Sequence, residues 1–204
     1  MDIITPQRLY HGTTDNYLPS FQNKLLNSQY WRPGRDFGEG FYTTISVGQA
    51  RKWAYRGLRS SLLGNARACV LEIELRTIPA SCQPLIFLSD SLAWAQFIML
   101  HRLASQKGED PCHQRHPDII IGPMADSDTG KIIKEAVQLN KDAHWFYEQI
   151  TRSMRGRRMD SLQLGNQVVF SSESWESALA LVGYHIYMGG RWVYHDCSSE
   201  AQSL

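Results

Sequence analysis

From Ala68 to Leu75 the chain alternates, with Val70, Glu72 and Glu74 against Leu71, Ile73 and Leu75, the two-residue period of a half-buried strand. Elsewhere the period lengthens. Leu92, Phe97, Leu100 and Leu103 recur at helical spacing, predicting an amphipathic helix over 90–103 capped by Ser89 or Asp90. Residues 46–62 carry helix formers behind Ser46 as a cap, and 132–139, 143–155 and 173–182 read as further helices. Arg8–His11 and the apolar run 117–122 read as strands. Tyr184–Tyr187 and Arg191–His195 flank Met188-Gly189-Gly190, which predicts a terminal hairpin. Residues 14–38, with Pro19 and Pro33, read as a long irregular segment, a length that in a compact domain usually signals function.

Composition narrows the class. With 204 residues, 43% hydrophobic and 20% charged, the chain holds enough apolar side chains for one substantial core, so a single domain over 1–195 and a loose polar tail over 196–204 are expected. The first residues lack a basic leader, and no stretch approaches the roughly 18 apolar residues that span a bilayer. A soluble, cytoplasmic protein with no membrane partner is expected. The net charge of +1 argues against a nucleic-acid coat while leaving local patches open. Cys69, Cys82, Cys112 and Cys197 show no paired spacing and read as reduced thiols. Cys112, His113 and His116 cluster, but a metal there needs a fourth ligand that the spacing does not supply, so no metal is expected.

The densest chemistry lies in Gly38-Glu39-Gly40-Phe41-Tyr42-Thr43-Thr44, with Trp53 downstream and Leu9-Tyr10-His11-Gly12-Thr13 upstream. Glycines beside an aromatic strand let backbone approach a flat ligand, because no Cβ intervenes. Tyr42 and Trp53 are then either two core rings or the two sides of a clasp around an aromatic ring. His11 is either structural or an orienting hydrogen-bonding group. Arg152, Arg155, Arg157 and Arg158 form a basic cluster that suits either a solvated helix face or phosphate binding.

These residues resemble the ADP-ribosyltransferase fold, the family of diphtheria-like toxins and poly(ADP-ribose) polymerases, whose signature is a His, a Tyr and a Glu on three strands. Tyr10-His11-Gly12-Thr13 matches the first strand, Gly40-Phe41-Tyr42-Thr43-Thr44 the second and Asn166-Gln167-Val168-Val169-Phe170 the third, with Gln167 where the Glu is expected. A bacterial branch of ADP-ribosyltransferase-like proteins is similar over Arg35-Asp36-Phe37-Gly38, Trp94-x-x-Phe97, Asp118 to Asp126 and Asn166-Gln167. The resemblance spans residues 8 to about 182 and implies an α+β fold with a split antiparallel sheet core and surrounding helices.

It further implies NAD as substrate. His11, Tyr42 and Gln167 take the catalytic positions, and His11, Gly12, Thr13, Arg35, Gly40, Tyr42, Thr44 and Trp53 the NAD-binding ones. Gly12 would pair its backbone with the carboxamide, His11 would bind a ribose hydroxyl, and Arg35, or Arg32, would meet the pyrophosphate. Gln167 lacks the charge that steadies a ribosyl cation, so chain elongation is not expected, and Asp36, Glu39 or Asp126 are alternative carboxylates. The expected activity is transfer of one ADP-ribose to a macromolecule, as a toxin, effector or defence component, delivered into a target cell or held in check by a neutralising partner. A protein acceptor is favoured over a nucleic acid. A non-catalytic NAD- or ADP-ribose-binding module and plain NAD hydrolysis are the alternatives.

Overall fold

Strand β3 (Ala68–Leu75) lies where the alternation places it, but both of its faces are covered at the start, Val70 being as buried as Leu71. A second layer over one face explains this. The computed structural model describes residues 7–60, 64–76, 81–112, 115–125, 128–152, 156–159 and 164–197, and these form an α+β structure. Contacts divide the chain into two units, one from Met1–Asn27, Tyr42–Ser81 and Glu173–Leu204, the other from Ser28–Phe41 and Cys82–Ser172. Neither unit is continuous in sequence, so no linker marks the division.

The first unit is an antiparallel sheet in the order β2-β1-β3-β7-β8, made of β1 (Arg8–Thr14), β2 (Phe41–Thr44), β3, β7 (Leu179–Met188) and β8 (Arg191–Asp196). Helix α2 (Val47–Ser60) packs on β1 and β3 through Ala50 and Ala54, which join Ala68 and Val70 in a core ringed by Tyr10, Tyr55, Leu58, Tyr187 and Trp192. Small residues on one face of the helix let its backbone settle onto the sheet. Ser46 begins α2 as expected, its Oγ accepting from the Gln49 N–H at 3.4 Å. The β7–β8 hairpin turns through Gly189 and Gly190 at φ 58° and 81°, the left-handed pair that a two-residue hairpin loop requires. Asp196 belongs to β8, while 198–204 lie outside the described residues.

The helix expected over 173–182 is a short 3₁₀ turn, Glu173–Ala178, and β7 begins at Leu179. Pairing of Leu179, Ala180 and Leu181 with Leu75, Glu74 and Ile73 overrides the local helix preference. The segment expected to be irregular also carries helix α1 (Leu18–Asn23). After α1 the Glu176 carboxylate accepts the Leu25 and Leu26 N–H groups at 2.9 and 2.6 Å.

In the second unit β4 (Pro84–Ile86) runs parallel to β5 (Ile119–Pro123), and β6 (Asn166–Phe170) runs antiparallel to β5. Helices α3 (Leu92–Ser105), α4 (Thr129–Gln138) and α5 (Ala143–Ile150) pack on one another. The α3 cap is Ser91, whose Oγ accepts from the Trp94 N–H at 3.2 Å, rather than Ser89 or Asp90. Its buried stripe is Trp94, Ala95, Ile98 and His101, whereas Leu92 and Leu100 are each 46% exposed. The leucine pattern therefore marked the wrong face. Helix α5 stops at Ile150, short of the expected Arg155, which lies outside the described residues. Among the described residues no helix is long and apolar enough to cross a membrane.

Candidate functional site

The first unit gathers His11, Gly12, Tyr42 and Trp53. Strand β1 is in register with β3 at all seven positions but with β2 at one, Tyr10↔Thr44. Continuing that antiparallel register would set Gly12 opposite Tyr42. Instead the His11 side chain reaches across, its Nδ1–H donating to the Tyr42 carbonyl at 2.7 Å. In the neutral ring this fixes the proton on Nδ1 and makes Nε2 the acceptor. The imidazole also lies against Phe21 of α1, with ring centroids 5.3 Å apart.

Side chains alternate along β1, so Tyr10, Gly12 and Thr14 face α2 while His11 and Thr13 face the other way. A methyl group at position 12 would lie 2.1 Å from the Ala50 carbonyl oxygen, 2.7 Å from the Ala54 nitrogen and 3.0 Å from Trp53 Cβ. The space a side chain would fill is taken by α2. The same contact sets Trp53 beside Gly12. Its indole is 40% exposed, with the Arg56 guanidinium 4.8 Å over the ring. Thr13 is half-buried. The buried Thr44 hydroxyl donates to Gln49 Oε1 at 2.5 Å and accepts from the Ser46 N–H at 3.2 Å, so this side chain shapes the entry to α2.

The remaining predicted residues fall in the second unit. Gln167 is the second residue of β6 and is 6% exposed; its amide donates to the Pro123 carbonyl at 3.3 Å, a carbonyl that also accepts the Trp94 indole N–H at 3.0 Å. Gly40 is needed by its own unit, because a methyl there would meet the Phe170 carbonyl oxygen at 2.7 Å. Arg35 and Glu39 are exposed. Asp36 pairs with Arg102 at 2.6 and 3.0 Å, so its charge is already met. Asp126 lies outside the described residues.

Of the basic cluster, Arg152 sits 3.6 Å from Glu148, and Arg158 stacks over Tyr147 at 5.1 Å, hydrogen-bonds its hydroxyl and lies 3.6 Å from Asp90. Arg157 is exposed and Arg155 lies outside the described residues. Two of the four guanidinium groups thus already have protein partners.

The second unit also assembles His101, Asp110, Cys112 and His116, one ligand atom from each lying within 4.8 Å of the others. Sequence reading found Cys112 and His116 but not His101 or Asp110, and His113 lies outside the described residues. His101 was hidden inside a helix read for its leucines; a polar residue on the buried stripe was the signal. Burial pulls the His101 imidazole below its ordinary value, and burial with Asp110 beside it pushes the Cys112 thiol up to about 11.

No curated protein and no solved structure matches this chain. A family profile does, over residues 8–181, taking in every strand but β8 and most of β7. The chain therefore belongs to the family described as Protein of unknown function (DUF3990).

Proposed function

We propose that the protein is a mono-ADP-ribosyltransferase of ADP-ribosyltransferase-like fold that uses NAD and modifies a macromolecule, a protein in preference to a nucleic acid. The observation that supports this is the meeting of His11, Gly12, Tyr42 and Trp53 where β1 and β2 part after one register pair. Gly12, with no side chain of its own, would bring its backbone against the carboxamide. Tyr42 and the exposed Trp53 supply ring faces, each stack being worth about 0.5–1.5 kcal/mol beyond the area buried. His11 Nε2 accepts a ribose hydroxyl.

In the reaction the bond from ribose C1′ to the nicotinamide nitrogen breaks, the electron pair leaves with the neutral pyridine, and an acceptor heteroatom bonds to C1′ and loses its proton. No strong general acid is needed. Positioning of the dinucleotide contributes to the acceleration. The engaged Arg152 and Arg158 favour the protein acceptor, since neither presents a free phosphate fork.

A second reading, a module that binds NAD without cleaving it, is supported by Gln167, whose buried amide is held by Pro123 and which provides no carboxylate to steady a ribosyl cation. One incubation separates the two. Labelled NAD is mixed with the protein and a cell lysate, then digested with protease or nuclease. Transfer predicts protease-sensitive label, lost about a hundredfold in His11→Ala and at least tenfold in Trp53→Ala. Calorimetric NAD binding with no label transferred supports the module. Absence of both sinks the NAD reading altogether.

A further inference from the structure

Within the second unit, four side chains with metal-binding atoms converge, and they come from three parts of the chain: the last turns of α3, the loop at 110–112, and the approach to β5. We propose that His101, Asp110, Cys112 and His116 form a structural zinc site. The donor set of two imidazoles, one thiolate and one carboxylate is the borderline-soft mixture that zinc selects.

The spacings fit a tetrahedron. Bonds of about 2.0–2.3 Å put ligand atoms about 3.3–3.8 Å apart along a tetrahedral edge. Cys112 Sγ lies 3.5 Å from His101 Nε2, and His101 Nε2 lies 3.7 Å from Asp110 Oδ1. His116 Nδ1 is 2.9 Å from Asp110 Oδ2, an ion-pair contact that a metal would open slightly. With the widest separation at 4.8 Å, the set closes on an ion by moving about 1 Å.

Orientation argues the same way. His101 Nδ1–H donates to the Phe97 carbonyl at 2.8 Å, which turns Nε2 toward the thiol. A ring nitrogen tied to a carbonyl is how metal-bound histidines are usually aimed. Both ring nitrogens of His116 are buried, Nε2 without a hydrogen-bond partner and Nδ1 meeting only Asp110 of the same cluster, an arrangement that costs free energy unless a ligand fills it. Four protein ligands leave no open position, so the site is structural rather than hydrolytic.

Gly38 explains what the ion would hold. At φ 81° it lies against the cluster, where a methyl would come within 3.0 Å of His116 Cε1 and 3.1 Å of His101 Cδ2. Two residues earlier, Asp36 is fastened to Arg102 of the same helix. The ion would thus fix the Arg35–Gly40 segment from which the chain enters β2. This inference does not depend on the NAD reading.

The full chain, stripped with a chelator, is titrated with Zn²⁺ against a chromophoric competitor and separately with Co²⁺. One equivalent of Zn²⁺ should bind and raise the melting temperature. Co²⁺ should give the visible spectrum of a tetrahedral site with a thiolate charge-transfer band, absent from Cys112→Ser and retained in Cys82→Ser. His116→Ala should weaken Zn²⁺ binding at least tenfold while keeping the apo far-ultraviolet circular dichroism. Sub-stoichiometric binding to the wild type, a Co²⁺ spectrum without the thiolate band, or a band surviving Cys112→Ser would overturn the proposal. The wild-type titrations decide even where a variant fails to fold, and no readout involves NAD.

Discussion

Gly12 shows how closely a helix can be seated on a strand at a single residue. The Cβ that a strand glycine leaves out does not by itself open space for a ligand. Instead the Ala50 carbonyl fills it, only 2.1 Å from where a methyl would stand. Gly12→Ala must therefore push α2 off β1, and should cost about 2 kcal/mol or more in urea unfolding. Gly57, on the same helix, has nothing within 4 Å of the corresponding position, and Gly57→Ala should gain about 0.5–1 kcal/mol through helix propensity. Equal effects would show that α2 does not bear on Gly12. Tyr42 and Trp53 were legible as rings worth pairing, whereas the bond from His11 to the Tyr42 carbonyl was not, because it depends on where two strands separate.

At the scale of elements, alternation located β3 and the paired glycines located the β7–β8 turn, since both signals are local. Helix α3 was found but misfaced. Its leucines mark a stripe that ends half exposed, and the buried stripe contains an aromatic, two small or branched residues and a histidine. What reverses the choice is the partner surface: Trp94 reaches the Pro123 carbonyl on β5, a contact no spacing predicts. The cap moves with it. Ser91→Ala should cost about 1 kcal/mol by removing the acceptor for the Trp94 N–H, whereas Ser89→Ala should be near neutral; thermal unfolding of the two variants measures the difference. Asp90, the other expected cap, accepts the Tyr147 hydroxyl at 3.0 Å instead.

For the molecule as a whole, stability against pH reports on His185, which lies between β3 and β8 in the first unit. Burial pulls its affinity for a proton below the ordinary 6.5, outweighing Glu72 at 3.5 Å, while Arg51 and His195 act in the same direction as burial. The unfolded chain then binds more protons than the folded one below about pH 6.5, so stability is full above that value and falls as the pH drops through the window beneath it. His185→Gln should flatten the loss seen in urea midpoints between pH 7.5 and 5.5. A slope as steep as that of the wild type would remove His185 as its source.

The α+β class was implied by the resemblance; the sequence alone determined the strand over 68–75, the terminal hairpin and the short list of chemically capable residues around His11 and Tyr42. Those rest on periodicity, turn chemistry and side-chain type, which neighbours along the chain settle between themselves. Tertiary structure alone decided that β1 and β2 part after a single register pair, that Gln167 is buried against Pro123, and that His101 and Asp110 join Cys112 and His116. Each of these depends on segments far apart in sequence brought together by burial and strand pairing, whose free energy belongs to the assembled fold and leaves no local pattern to read.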